Sequence, residues 1–334
     1  MKFAVAGAGA IGGYVGACLA RAGADVTLFA RGPHLRAMQE HGLRVMSEDG
    51  DFDVRPNITG DLAAIGNADV IFLGVKAHAL TELAPRLGPL MAPDTVVISM
   101  QNGLPWWYFQ QTDGPHAGRR LESVDPGGEI AKSFAPERVI GSIAYFATTL
   151  EAPGVIRHRE GNRLTLGEPD GSRSERCRQI AQVLIAGGLR APITTRIRHE
   201  LWVKLLGNAS LNPVSALTGA TLAEIVRDPY TGPLIRDLMT EVEEVARRLG
   251  IDLPVSIEQR LTGAEKVGQH KTSMLQDLES RRPLELDEVV GVVIELGEGF
   301  NVPMPAMRAV YGCAKLLDRR NRPLETERTI DASE

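Results

Sequence analysis

The chain has 334 residues, of which 43% are hydrophobic, and its formal net charge is -5 at pH 7. This length predicts about two domains, and the apolar content is sufficient to fill a core in each. The acidic balance excludes a general electrostatic attraction for nucleic acid or an anionic membrane, so any anionic ligand must be bound by local groups.

The sequence is typical of a cytoplasmic protein without a metal. Cys18, Cys177 and Cys313 are far apart and odd in number, which argues against a disulfide framework or a CxxC metal site. No stretch reaches the roughly 18 apolar residues of a membrane span, and the N-terminal MKFAVAGAGAIGG does not resemble a signal peptide. None of the histidines falls in HxxxH or HExxH spacing, so we expect no metal site.

Strands and helices alternate along the first part of the chain. The predicted strands are KFAVAGA, ADVTLFA, ADVIFLGVKA and TVVISMQNG. A β-rich stretch from ERVIGSIAYFATT to GVIRHREGNRLTLGE follows, then a helix at SERCRQIAQVLIAGG and one more strand at APITTRI. Buried strands separated by crossover-sized connections predict an α/β fold, with a parallel sheet covered on both faces.

From about Arg196 onwards the pattern is helical only, as in GPLIRDLMTEVEEVARRLG and ELDEVVGVVIELGEGF. We therefore predict two domains, residues 1–195 and 196–334, with the boundary near Thr195. The apolar run VVGVVIEL offers a surface for a homodimer, although a core helix explains it equally well.

The first strand runs directly into the motif GxGxxG. Its residues are Gly7, Ala8, Gly9, Ala10, Ile11 and Gly12. Between a strand and a helix, such glycines allow a tight turn, close approach of a pyrophosphate, and close packing of the helix on the strand. The motif predicts dinucleotide binding; the alternative is a mobile glycine turn.

The end of the second strand predicts which dinucleotide binds. An NAD-binding chain places a carboxylate there, whereas this strand ends in Ala30-Arg31, and a guanidinium can bind a 2′-phosphate. Lys76 follows another strand and is expected at the same sheet edge. These cations predict NADPH as cofactor, unless each is an ordinary surface cation.

Asn102, at the end of TVVISMQNG, is placed to touch the nicotinamide or the catalytic group, but Asn-Gly is equally a common turn pair. A second polar pattern lies in the apolar helix HELWVKLLGNASLNPVSAL. Lys204, Asn208 and Asn212 are spaced by four residues and form one narrow stripe. Either these side chains hydrogen-bond to neighbouring backbone or lie in a hydrated gap between domains, or they line a cleft that faces the nicotinamide. In the second case Lys204 would be the proton donor. Apolar neighbours would lower the pKa of this lysine, and Pro213 would bend or end the helix.

Together these motifs resemble the ketopantoate reductase family. The resemblance includes GAGAIG, Arg31, VKA with Lys76, QNG with Asn102, ELWVKLLGNASLNP, and SMLQD followed by ELD, and it covers nearly the whole chain. It implies a Rossmann-like domain joined to an all-helical domain of the 6-phosphogluconate dehydrogenase C-terminal type, with NADPH and a 2-keto acid in the cleft.

The resemblance also implies a role for each matching residue. Lys204 would be the general acid, and Asn208, Asn212 and Ser273 would bind substrate. Asn102 would touch cofactor and hold Lys204, and Glu285 would bind the nicotinamide ribose or substrate. Arg31 and Lys76 match cofactor-phosphate positions, and Ala147 matches a backbone contact to NADPH.

Three departures from the family concern the substrate. Ala79 replaces a frequent glutamine, and His270-Lys271-Thr272 replaces a run with an asparagine and a serine before Ser273. Residues 104–130 form a longer connection that contains Trp106-Trp107-Tyr108-Phe109. Four successive aromatics should not all be hidden, so we expect a lid or a subunit contact; the alternative is a loop that covers the sheet edge.

The resemblance therefore implies NADPH-dependent reduction of ketopantoate to pantoate, for coenzyme A synthesis. The alternatives are a reductase of another 2-keto acid, such as a hydroxyacid or opine-type dehydrogenase, and an NADPH-binding sensor without turnover.

Overall fold

The computed structural model describes residues 1–322 and divides into two compact units, Met1–Arg198 and His199–Glu334. The predicted domain boundary near Thr195 stays a prediction, and the end of the second predicted domain, residues 323–334, lies outside the described residues.

The first unit contains one mixed sheet with helices. Its strands are β1 (Lys2–Ala6), β2 (Asp25–Phe29), β3 (Leu43–Ser47), β4 (Phe52–Val54), β5 (Asn57–Thr59), β6 (Val70–Leu73), β7 (Val96–Ser99), β8 (Val139–Ala152) and β9 (Val155–Gly167). Its helices are α1 (Ala10–Arg21), α2 (Gly32–His41), α3 (Ala77–Leu87), α4 (Glu129–Ser133) and α5 (Glu175–Ala186).

The sheet has nine strands in the order β4-β3-β9-β8-β7-β6-β1-β2-β5. Six of them, from β5 through β2, β1, β6 and β7 to β8, are mutually parallel, as the apolar strand pattern predicted. Their order is the 3-2-1-4-5-6 order of a Rossmann fold. Beyond β8 the sheet continues through antiparallel β9 to the hairpin of β3 and β4.

Helix α1 packs against strands on two sides, which explains its small residues. A Cβ at Gly16 would lie 2.4 Å from Leu28 on β2, and one at Gly13 would lie 2.5 Å from Ile156 on β9. Because larger side chains would push these strands away, the sequence AIGGYVGACLA suits a helix that is buried between strands rather than one with a solvated face.

Two predictions about strands need correction. The strand predicted at APITTRI is instead one isolated bridge to β9, at Ile193, with a second bridge just before it at Arg190. Leu166 N–H donates to Pro192 O (2.9 Å) and Thr194 N–H donates to Leu166 O (2.9 Å), but Pro192 has no N–H to continue the ladder. The sequence analysis also missed β3, β4 and β5, which are only three to five residues long and lie among turn residues.

The four aromatic residues of the long connection are all buried, contrary to expectation. Trp106, Trp107, Tyr108 and Phe109 are 4%, 1%, 2% and 4% exposed. A turn at Pro105–Gln110 directs them differently: Trp107 Nε1 donates to Ser99 Oγ on β7 (2.8 Å), and the Trp106 ring lies 5.9 Å from that of Phe134. The segment therefore offers no exposed aromatic surface for a lid or a subunit contact, which favours the packed-loop alternative.

The second unit is helical throughout its described part, as predicted. Its helices are α6 (Ile197–Thr218), α7 (Leu222–Arg227), α8 (Thr231–Arg248), α9 (Ile257–Val267), α10 (Ser273–Glu279), α11 (Val292–Gly299) and α12 (Pro305–Asn321). A π-helical turn, Asp287–Gly291, leads directly into α11. Pro213 does not end α6, because the helix continues to Thr218.

Some classes of feature are absent from residues 1–322. No helix there has the length and apolar content to span a membrane. The same residues contain no cluster of three or more side chains that could bind a metal ion. All three cysteines are free, with Cys18 and Cys177 buried and Cys313 exposed.

Candidate active site

Four parallel strands of the first unit end in one row at the same edge of the sheet. The register aligns Phe29, Ala6, Leu73 and Ser99 across β2, β1, β6 and β7. The chain continues from these ends into the glycine-rich loop and to Arg31, Lys76 and Asn102. In open α/β sheets, ligands bind outside this carboxyl edge.

The three motif glycines have distinct structural reasons. Gly7 has a φ of +102°, and a Cβ there would lie 2.5 Å from Val75; a Cβ at Gly12 would lie 2.2 Å from Gly7 O. These two positions thus require glycine for the turn and for the packing of α1. A Cβ at Gly9 would meet no protein atom within 4 Å, so only an approaching ligand gives glycine an advantage there.

The loop borders a cavity of about 260 Å³. It is lined by Gly7, Ala8, Gly9, Phe29, Ala30, Arg31, His34, Val75, Ala79, Glu82 and Leu83. The cavity thus combines the glycine-rich loop with the Arg31 cation, and the N-terminus of α1 supplies backbone N–H groups without intrahelical partners. These features fit the phosphates of a dinucleotide. Glu82, from α3, adds an exposed carboxylate to the same lining, which opposes a 2′-phosphate.

Gln101 connects the ends of β6 and β7, and the sequence analysis missed its role. Its Nε2 donates to Leu73 O (2.8 Å) and to Val75 O (2.9 Å), which fixes the orientation of the side-chain amide. Val75 is the residue that closely approaches Gly7, so Gln101 supports the wall of the cavity. Lys76 and Asn102 follow directly and are partly exposed, the lysine at the N-cap of α3.

Ala147 lies on β8 opposite Glu160 of β9, beyond the point at which Gly141 pairs with Ser99 of β7. It is partly exposed. A backbone contact between Ala147 and NADPH stays a prediction.

In the second unit, α6 carries the polar stripe among buried apolar residues. Lys204 and Asn208 are partly exposed and Asn212 is 8% exposed, whereas the neighbouring Trp202 and Leu206 are fully buried. Burial of the ammonium group lowers the pKa of Lys204 to about 8, as the sequence analysis expected, and the nearby charge of Glu285 partly offsets this effect. Lys204 and Glu285 thus form one electrostatic pair.

The remaining predicted residue, Ser273, is the exposed first residue of α10. The preceding Thr272 caps this helix, since its hydroxyl accepts a hydrogen bond from Leu275 N–H (3.2 Å). Thr272 therefore has a structural role in the run that departs from the family. A contact of Ser273 with substrate stays a prediction.

Sequence reasoning also missed Glu288, which is 6% exposed in the π-helical turn. Burial raises the pKa of its carboxyl to about 8, and the charges of Glu285 and Asp287 act in the same direction, while Lys315 opposes them. Single π turns inside helices are frequent at functional sites. The sequence gives little signal for this one, because ELDEVVGVV reads as ordinary helix.

The strand order, the glycine-rich loop and the polar stripe define a dinucleotide-dependent oxidoreductase with a Rossmann-type unit and a helical unit. Comparisons with known proteins agree with this class. The family model for ketopantoate reductase PanE/ApbA matches residues 3–106, and the model for its C-terminal part matches residues 196–318.

Full-length relatives narrow the class further. A 2-dehydropantoate 2-reductase from Mesorhizobium japonicum is 48% identical over 319 residues, covering 95% of this chain and 98% of the relative. Another from Nostoc is 30% identical and covers 96% of each chain. The crystal structure of a ketopantoate reductase homologue from Ralstonia solanacearum superposes with a TM-score of 0.91 at 39% identity, covering 96% of this chain and 98% of that one. The chain belongs to the ketopantoate reductase family.

Proposed function

We propose that this protein reduces 2-dehydropantoate (ketopantoate) to pantoate with NADPH, in the synthesis of coenzyme A. The observation that carries the proposal is Lys204, whose pKa lies near 8 on the polar stripe of α6. A general acid works best when its pKa is close to the working pH. The names and full-length coverage of the relatives support the choice of substrate.

The proposed mechanism needs one proton from the protein. The glycine-rich loop and Arg31 would hold the dinucleotide, which would supply a hydride to C2 of the keto acid and so leave negative charge on the carbonyl oxygen. Lys204 Nζ donates a proton to that oxygen, and the neutral amine then regains a proton from solvent. Asn208, Asn212 and Ser273 would bind the substrate, Glu285 would orient the lysine, and Asn102 would contact the cofactor.

NADPH oxidation with ketopantoate and with a panel of simpler 2-keto acids tests the proposal. Lys204→Ala should lower kcat roughly a hundred- to ten-thousandfold and leave cofactor binding nearly intact. Lys266→Ala is the matched control, because Lys266 is an exposed lysine on α9 of the same unit. Turnover of another keto acid but not of ketopantoate would show that this family member has a different substrate. Full activity of the Lys204 variant would remove the lysine as proton donor.

The preference for NADPH is proposed from Arg31 and from the lack of a carboxylate at the end of β2. Arg31→Ala should raise KM for NADPH more than for NADH, since only the former has a 2′-phosphate. Glu82→Gln should act in the opposite direction, because it removes a repulsive charge from the same cavity. Equal effects of Arg31→Ala on both cofactors would contradict the assignment.

We further propose a homodimer in the cytoplasm. The aromatic residues of 104–130 are buried, and the valines of the run VVGVVIEL are at most 1% exposed, as the core-helix alternative expects. Neither run therefore supports a subunit contact, and the dimer stays a prediction from the sequence. Light scattering of the purified protein gives its molar mass, and a single-chain mass would refute the dimer.

A further inference from the structure

His34, on α2, lies between two backbone groups that are far apart in the sequence. Its Nε2 lies 2.8 Å from the carbonyl oxygen of Ala8, in the glycine-rich loop. Its Nδ1 accepts a hydrogen bond of 2.9 Å from the N–H of Gly154, in the turn that joins β8 to β9. The ring therefore bridges the loop and the β8–β9 turn.

These contacts determine the tautomer of the ring. A backbone N–H can only donate, so Nδ1 of His34 must be unprotonated to accept the bond from Gly154. The ring proton is then on Nε2, which donates to Ala8 O. Burial of the ring lowers the pKa of His34, in agreement with a neutral form. Two charged side chains line the same cavity as His34. They are Arg31, at the start of the same helix, and Glu82 on α3.

The bond from His34 completes a clamp on one residue of the loop. Ala8 N–H donates to Phe29 O at 2.8 Å, and Ala8 O accepts from His34, so both sides of this residue are held. A peptide unit is planar and its C=O and N–H point in opposite directions. Fixing Ala8 O consequently fixes the direction of the Gly9 N–H, next to the open position identified above.

We propose that neutral His34 is a positioning residue that holds the glycine-rich loop in its dinucleotide-binding shape, and that protonation of the ring weakens cofactor binding. The inference rests on the proposed dinucleotide binding, but it does not depend on the substrate or on the choice between NADPH and NADH.

The direction of the pH effect follows from the two hydrogen bonds. A protonated ring carries hydrogen on both nitrogens, so Nδ1 would face the Gly154 N–H with a second donor. Above the ordinary histidine pKa of 6.5, His34 is neutral and makes both hydrogen bonds. The bond to Gly154 is lost as the pH falls through the lowered pKa of His34. Cofactor affinity should therefore decrease on the acid side.

Three variants test the inference by direct titration with NADPH and with NADH. His34→Gln keeps one donor and one acceptor but cannot titrate, His34→Ala removes both bonds, and His41→Gln changes an exposed histidine at the other end of α2. Measurements at about pH 8 and about pH 5 span the range in which histidines change charge, and the lower limit is needed because the pKa of His34 is lowered. The 2′-phosphate of NADPH also gains a proton near pH 6, so wild type is compared with His34→Gln at each pH and with NADH.

At the higher pH we expect His34→Gln to bind like wild type and His34→Ala to bind about tenfold more weakly, because the loop loses the hydrogen bond to Ala8 O. At the lower pH wild type should lose severalfold more affinity than His34→Gln, while His41→Gln follows wild type. Unchanged binding by His34→Ala, or an equal acid-side loss in wild type and His34→Gln, would overturn the proposal.

Two further outcomes separate this inference from the proposed function. If His34→Ala lowers the thermal stability, the comparison of His34→Gln with wild type still decides the pH effect, because both hydrogen bonds remain. A wild-type protein that binds a dinucleotide but does not reduce ketopantoate would contradict the proposed function alone. A wild-type protein that binds neither dinucleotide would overturn both.

Discussion

At the scale of single residues, Lys204 shows how burial changes the acidity of a side chain. A lysine in water remains protonated far above neutral pH, and such an acid gives up its proton reluctantly. Burial on α6 brings its pKa to about 8, and Glu285 prevents a larger decrease. The proposed acid is thus largely protonated at neutral pH but is stronger than a lysine in water.

The first prediction concerns the pH dependence of reduction. The protonated amine is the active form, so kcat should be constant at lower pH and should fall as the pH rises through about 8. Lys204→Arg holds its proton much more tightly and should be slow, without this alkaline decrease. Steady-state rates of both proteins across this range provide the measurement. A wild-type rate that increases above pH 8 would exclude Lys204 as the acid.

Local sequence predicted some residue properties and missed others, for a physical reason. The lowered pKa of Lys204 was predictable because its apolar neighbours are on the same helix. The bridge formed by His34 was not, because Gly154 is 120 residues away along the chain. The surroundings of Glu288 include Lys315 on another helix, α12, and π turns have no strong sequence pattern. The predicted contacts of Ser273 and Ala147 depend on tertiary surroundings in the same way.

At the scale of elements, the glycines of the loop before α1 have two different roles, one in packing and one in ligand binding. Gly12 is required by the close contact with Gly7 O, whereas a side chain at Gly9 would extend into open space. Gly9 has a φ of -73°, which alanine adopts without strain. The same substitution at the two positions should therefore have different consequences.

The second prediction compares these two substitutions. Gly12→Ala should destabilise the fold by about 1–3 kcal/mol, since α1 must move away from the loop. Gly9→Ala should keep the stability of wild type but weaken dinucleotide binding. Denaturant unfolding and cofactor titration measure the two properties separately. A stable Gly12→Ala protein, or a Gly9→Ala protein with normal affinity, would show that the roles are assigned incorrectly.

The third prediction concerns the π-helical turn and the stability of the fold. The pKa of Glu288 is raised to about 8, so the folded state binds a proton that the unfolded chain releases near pH 4.5. This contribution is fully present below pH 4.5 and is lost as the pH rises to about 8, by on the order of 1 kcal/mol per pH unit at most. Glu288→Gln cannot ionise and should be more stable than wild type at alkaline pH.

Thermal unfolding at acidic and alkaline pH tests this expectation. Glu298→Gln is the control, because Glu298 is an exposed carboxylate of α11 that pairs with Arg308 on the surface. The advantage of Glu288→Gln over wild type should increase with pH, and that of the control should not. A constant difference at all pH values would mean that Glu288 is already ionised in the folded protein.

At the scale of the molecule, the apolar runs and the glycine motif were sufficient to predict a parallel sheet with crossover helices and the change to helices only, but not the short strands β3, β4 and β5. These patterns could not predict that the sheet extends beyond the six parallel strands, because β3 and β4 are short and β3 pairs with β9, a strand more than 100 residues later. The burial of the four aromatic residues depends on partners such as Phe134 and Ser99, which the local sequence pattern does not reveal.

The short edge strands have a further consequence. β4 and β5 form the two opposite ends of the nine-stranded sheet, yet only Arg55 and Pro56 separate them in the chain. Three Cα–Cα steps span at most about 11 Å. The sheet must therefore curl around α1 until its first and last strands are near neighbours, like a barrel left slightly open.

The fourth prediction follows from this near closure. The strand edges, which in other proteins attract foreign strands, are here three residues long and joined to each other by one short link. Four glycines inserted between Arg55 and Pro56 should release both edges at once, lowering the unfolding temperature and promoting aggregation. The same insertion after Gly114, in an exposed turn, should have little effect. The two-residue connection therefore holds the edge strands β4 and β5 close together. We expect that it cannot be lengthened without loss of stability, unlike an exposed turn such as the one at Gly114.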